Sequence, residues 1–227
     1  MAVLKRLDQT LSNLGYCSRR EVRIWLRDKR VRVAGELTKN AALKVDPASV
    51  TVDDKPLDHP GDILIMLNKP LGYVCTHDIN EGQRIYDLLP EIWLGRSPQV
   101  VSVGRLDKDT TGLILITDQS ALVQKLTSPK QHVNKVYRVT VDKPLDQTII
   151  EQFATGVQLI SETEPCLPAT LEIIDTHTAK VTLNEGKYHQ VRRMFAACDN
   201  HVVTLHREQF GHYTLGDLAP GEWRDLI

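Results

Sequence analysis

The chain has 227 residues, 41% hydrophobic and 25% charged, with a net charge of −1, the make-up of an ordinary globular protein able to bury a sizeable core. No apolar run approaches the length of a membrane span, the start lacks the apolar stretch of a secretory signal, and the four cysteines and eight histidines lack metal-site spacing. Residues 1–45 hold eleven Lys and Arg against four acids, a balance of 11 − 4 = +7 that leaves about −8 for the rest, so the basic end is expected to meet a polyanion.

In the basic segment, Leu4, Leu7, Leu11 and Leu14 recur at helical spacing, and Gly15 fits a helix stop. Ser18-Arg19-Arg20-Glu21 reads as a capping box that opens a second helix with Val22, Trp25 and Leu26 facing inward. Arg20, Arg23, Arg27 and Arg30 then share one helical face. Val31–Glu36 reads as an alternating strand plus turn, and Val50–Val52 as a later short strand. An arginine stripe is often only a solvated face, but this density with few compensating acids favours phosphate contact.

Pro60 and Gly61 break any continuing element, so one domain is expected over residues 1–60 and a larger one over 61–227. In the larger one, Ile63–Leu67, Val100–Val103, Leu113–Ile116, Lys135–Val141, Ala169–Ile174 and Ala179–Leu183 read as strands. Helices are expected near 119–126, 147–154 and 190–197. Many strands with few intervening helices predict an α+β fold on a mostly antiparallel sheet. No glycine-rich phosphate loop appears, so nothing implies a nucleotide cofactor. The four cysteines fit buried thiols of a reducing cytoplasm.

Between two of these apolar runs lies Gly104-Arg105-Leu106-Asp107-Lys108-Asp109-Thr110-Thr111-Gly112-Leu113. It sets a carboxylate in a polar turn at the rim of a sheet, where an acid can serve as nucleophile or base. A turn in which Asp and Thr bond to local backbone is an equal reading on these residues alone.

The first module, from residue 3 to about 58, resembles the S4 RNA-binding domain. That resemblance assigns Arg6, Arg19, Arg20, Arg23, Lys29, Arg30 and Arg32 to an RNA surface. The turn at 104–113, with Asn68-Lys69-Pro70-Leu71-Gly72, Glu185-Gly186-Lys187-Tyr188-His189-Gln190-Val191-Arg192-Arg193-Met194 and the strand Lys135–Val139, resembles the motif set of bacterial ribosomal RNA pseudouridine synthases. Residues 200–208 and 217–224 look most like members that act on 16S rRNA of the small subunit.

The resemblance implies isomerisation of uridine without cofactor or metal, on ribosomal RNA or an assembling subunit, by a cytoplasmic monomer with no membrane partner. Asp107 would attack C1′ or take the C2′ proton. Arg192 would be its counter-charge, since an opposite charge nearby favours the ionised carboxylate. Tyr137 would lie against the uracil. Arg105 would fill the gap left by the everted base. Asp109 is expected as a turn ligand, and His189 as a helix-entry residue. Lys69 and Pro70 would shape the loop beside the site, with Lys69 also counted among the RNA contacts. Large-subunit rRNA is the alternative substrate. A non-catalytic assembly factor and a phosphatase using Asp107-x-Asp109-x-Thr111 are the rival readings, although no later Asp-Asp pair supports the phosphatase.

Overall fold

The computed structural model describes residues 4–227. Its elements run β1 (Lys5–Arg6), α1 (Leu7–Asn13), α2 (Arg19–Arg27), β2 (Val31–Val33), β3 (Glu36–Leu37), β4 (Lys44–Val45), β5 (Val50–Val52) and β6 (Lys55–Pro56). They continue as β7 (Leu64–Lys69), β8 (Val101–Ser102), β9 (Thr110–Thr117), α3 (Ser120–Thr127), β10 (Lys135–Val141), α4 (Gln147–Thr155), β11 (Thr170–Asp175) and β12 (Thr178–Leu183). The chain ends with α5 (Gln190–Ala197), β13 (Val202–Phe210), β14 (Tyr213–Thr214) and β15 (Trp223–Asp225).

The first helix is shorter than its leucine spacing predicts. Lys5 and Arg6 pair with Lys44 and Val45, and the N–H groups of Leu7 and Asp8 donate to the carbonyls of Leu43 and Ala41. Those long-range bonds hold the chain extended up to Leu7 and leave Leu4 exposed. The capping box of α2 forms as expected: Glu21 N–H donates to Ser18 Oγ at 3.4 Å, and Ser18 N–H to Glu21 Oε2 at 2.7 Å. Leu7, Leu11, Val22, Leu26, Val31 and Val50 meet in one apolar cluster that ends at Leu57. Each such side chain, fully buried, contributes about 1.5–3 kcal/mol.

The second cluster starts at Ile63 and lies on a mixed sheet of order β11-β12-β10-β13-β9-β7-β15, with β14 on β13 and β8 on β9. Every residue of β7 is buried, and nearly all of β9 is, because both faces of these central strands are covered. All pairings are antiparallel except β13 with β9. The α+β expectation holds. Three strands of this sheet, β13, β14 and β15, were not legible in the sequence. β13 is the hub between β10 and β9, yet register shifts against β10 break its alternation. β15 is only three residues long.

The connection between the clusters is bolted to the larger one. Arg96 and Asp118 form an ion pair at 2.9 Å with both side chains almost wholly buried. Asp118 Oδ1 also accepts the N–H of Ile63 at 2.8 Å, while Arg96 Nη1 donates to His59 O at 2.9 Å. A cut at one partner leaves the other charge buried and unpaired, so Asp118→Ala should cost about 3–5 kcal/mol in urea denaturation. Nearby, Gly15 packs against Gly95, and a side chain at Gly15 would run into the Ile92 carbonyl.

Candidate active site

One transverse row of the sheet organises the site. Tyr137 on β10 is level with Arg207 on β13, Arg207 with Gly112 on β9, and Gly112 with Lys69 on β7. Side chains on one row point to one face, so Tyr137, Arg207 and Lys69 line the same side. Strands lie about 4.8 Å apart, which brings Gly112, five residues after Asp107, within about 10 Å of the Tyr137 backbone. The parallel β13–β9 pairing alone brings these distant segments together.

Asp107 occupies the turn between β8 and β9, where the Thr110 N–H donates to the Asp107 carbonyl at 3.1 Å. Its carboxylate is a third exposed, and its Oδ1 lies 3.3 Å from Nε2 of His189. His189 is the N-cap of α5, as the sequence predicts, in the left-handed region at φ +48°. Its ring stacks on that of Tyr188 with centroids 3.9 Å apart.

The expected Asp107–Arg192 pair is corrected. Arg192 Nη2 bonds Asp109, at 3.0 Å to Oδ2 and 3.1 Å to its carbonyl, and Nη1 donates to the Val202 carbonyl at 3.2 Å. Asp109 is thus more than a turn ligand. It extends from the turn towards α5, and Arg192 is within reach of it, while His189 takes the place beside Asp107. Arg193 points elsewhere, as successive helical residues must, and pairs with Glu162 at 3.0 Å.

Lys69 is a second correction. It shapes the Asp107 loop but cannot meet RNA, because it is 0% exposed. Its Nζ donates to the carbonyls of Thr110 at 2.7 Å, Pro70 at 3.1 Å and Lys108 at 3.4 Å. Burial pushes its ammonium below the usual lysine range, against the opposing pull of Cys75, Asp109 and Asp107. Tyr137 is buried with Val139 and Val181, and Arg105 is exposed in the turn that follows Gly104.

In the basic module, Arg19, Arg20, Arg23 and Lys29 are exposed, and among the described residues none has a carboxylate within 4.0 Å. The stripe is shorter than predicted: α2 stops at Arg27, and Arg30 leaves that face to sit over the Trp25 ring at 4.1 Å. Arg6, Arg27, Arg30 and Arg32 are paired with Asp8, Asp28, Asp53 and Asp54. Among the described residues no group of three or more His, Cys, Asp or Glu is placed to hold a metal.

Sequence reasoning missed Arg207 altogether. It is 3% exposed, donates from Nε to the Leu113 carbonyl at 2.7 Å, and leaves Nη2 without a partner. Only its register with Tyr137 and Gly112 marks it, and register is not visible in a single chain.

The model of the RNA pseudouridylate synthase family matches residues 63–197, and that of the S4 domain matches residues 5–50. The chain is 44% identical over 226 residues to the ribosomal small subunit pseudouridine synthase A of Escherichia coli strain K12, covering 97% of this chain and 96% of the relative. It is likewise 44% identical over 225 residues to the Yersinia pestis protein of that name, covering 97% and 94%. A crystal structure of a pseudouridylate synthase superposes with a TM-score of 0.69 at 36% identity, over 98% of this chain and 96% of the other.

Proposed function

The chain belongs to the RNA pseudouridylate synthase family, and on that premise we propose that Asp107 is the carboxylate with which it isomerises a uridine of small-subunit ribosomal RNA. The observation that carries this reading is the Asp107 carboxylate, held beside His189 on the turn before β9, the strand whose Gly112 is level through Arg207 with Tyr137. Asp107 either attacks C1′ or removes the C2′ proton, and in both cases the N1–C1′ bond breaks. Tyr137 receives the uracil ring, with stacking of about 1–3 kcal/mol. Arg192 acts through Asp109, fixing the turn on which Asp107 stands. Arg105, exposed on that turn, takes the space of the everted base. No step calls for a redox or group-transfer cofactor.

Residues 1–60 serve as the RNA-holding domain and 61–227 as the catalytic one, with 16S rRNA as the substrate, a monomer as the working unit and the cytoplasm as its place. The phosphatase reading loses ground on topology. Its Asp should end a parallel strand, whereas Asp107 precedes a strand flanked on one side by antiparallel β7. Release of tritium from 5-tritiated uridine in small-subunit rRNA, without nucleotide or metal, tests the activity. Failure to release tritium, or pseudouridine appearing only in large-subunit rRNA, would overturn it.

The exposed Arg19, Arg20, Arg23 and Lys29 give a separate expectation. Arg20→Ala with Arg23→Ala should lower the salt slope of RNA binding by about two, one for each lost phosphate contact. A titration of binding against salt checks it, and an unchanged slope would remove α2 from the RNA face.

A further inference from the structure

Two residues from Tyr137 on the same strand, Lys135 faces the same side of the sheet and is level with Phe210 on β13. Its Nζ lies 5.6 Å from the Phe210 ring centroid, and the guanidinium of Arg207 lies 5.0 Å from the same ring. Two cations therefore share the ring of Phe210, which packs with Leu113, Leu115 and Leu215, and among the described residues neither has a carboxylate within 4.0 Å. Arg207 is nearly wholly buried with Nη2 unpartnered. Lys135 is half-buried and donates only to the Val133 carbonyl, at 2.9 Å. Its stem runs beneath Gly186, in the loop that carries His189 to Asp107.

A pair of poorly compensated cations in a partly dry site is costly unless an anion arrives. Burial and the Arg207 charge push the Lys135 ammonium down to about 8, against the weaker opposing pull of Glu185. The carboxylate of Glu185 is occupied with the Leu167 N–H and Gln190 Nε2. A hydrated backbone phosphate is a poor match for a site backed by Arg207 and Phe210. A flat, weakly hydrated anion formed inside the cleft is a better one.

We propose that Lys135 is a further catalytic residue, whose ammonium takes up the negative charge of the uracil ring as the N1–C1′ bond breaks. The inference rests on the reading of Asp107 and Tyr137 given above. When that bond breaks its electron pair leaves with the base, and the charge spreads over O2 and O4. This holds whether Asp107 forms the new bond at C1′ or removes the C2′ proton. When C5 then attacks C1′, the pair returns to the sugar. Asp107 is released, or C2′ is reprotonated, and the C5 proton leaves while N1 gains one. Lys135 acts only during the interval when the base is anionic, and Arg207 holds the positive potential behind it.

The test compares single-turnover rates of N1–C1′ cleavage, read as loss of the starting nucleoside, on RNA carrying uridine or 5-fluorouridine at the target, because the fluorinated base has no C5 proton to release and shares only the steps up to C5 attack. Fluorine withdraws charge and makes the base a better leaving group, so an external cation matters less. Lys135→Met should slow conversion of the uridine RNA about 100-fold, the scale of one lost charge-stabilising donor, with RNA affinity within about twofold. On the 5-fluorouridine RNA the loss should shrink below about tenfold. Lys135→Gln should behave like the Met variant, and Lys135→Arg should recover much of the rate, with all three melting close to the parent. Equal losses on both RNAs would overturn the proposal. So would a loss carried by affinity with a flatter salt dependence, the mark of a phosphate contact. Parent protein inert on both RNAs would instead sink the function reading.

Discussion

Asp107→Asn should lower tritium release by at least roughly 10⁴-fold while leaving RNA affinity within about twofold, the pattern of a lost reacting group. Asparagine keeps the size of the side chain and a carbonyl that can face His189, which stands 3.3 Å away in the parent. It lacks the charge needed to attack C1′ or to take a proton from C2′. The basic face on α2 is untouched, so binding should survive. The comparison is sharp because a second carboxylate stands two residues on, held at 3.0 Å by Arg192. If Asp109 were the reacting acid, release would persist in the Asp107 variant, and the assignment would move to the Arg192–Asp109 pair. Filter binding and tritium release on the same RNA separate these outcomes.

Gly112→Ala should cost about 2–6 kcal/mol of stability, through two effects that add at one site. Gly112 has φ +103°, a region that costs a residue with a side chain about 1–3 kcal/mol. A Cβ there would also overlap the backbone of Arg207, with the nitrogen only 2.7 Å away. Overpacking of that kind adds about 1–3 kcal/mol. The two strands cannot separate without opening the β13–β9 pairing that assembles the row of Tyr137, Arg207 and Lys69. Gly35, at φ +83° with open space around it, provides the control. Gly35→Ala should lose only about 1 kcal/mol from backbone strain. Urea midpoints for both variants test this, and equal small losses would show that the close approach at Gly112 is not tight.

Much of the local structure was legible because local interactions determine it. The Ser18–Glu21 capping box, the strand Lys135–Val141 and the helix Gln190–Ala197 depend on side chains within a few residues of each other. The turn holding Asp107 was visible for the same reason, as a polar break between two apolar runs. The α1 start was misread because its extended entry is imposed by Leu43 and Ala41, far along the chain.

The sequence by itself determined the two-part basic and acidic layout and the α+β pattern, since composition and periodicity are properties of neighbouring residues, while the choice of Asp107, Tyr137, Arg105 and Arg192 rested on the resemblance of its motifs to a known family. Tertiary structure alone decided that Arg192 holds Asp109 while His189 meets Asp107, that Lys69 is sealed beneath the turn, and that Arg207 and Lys135 share the Phe210 ring. Each of these depends on how segments far apart in the chain dock, Lys69 through the β7–β9 pairing and Arg207 and Lys135 through β13 beside β10. That docking is a matter of strand register and distance across the sheet, which no window along a single chain contains.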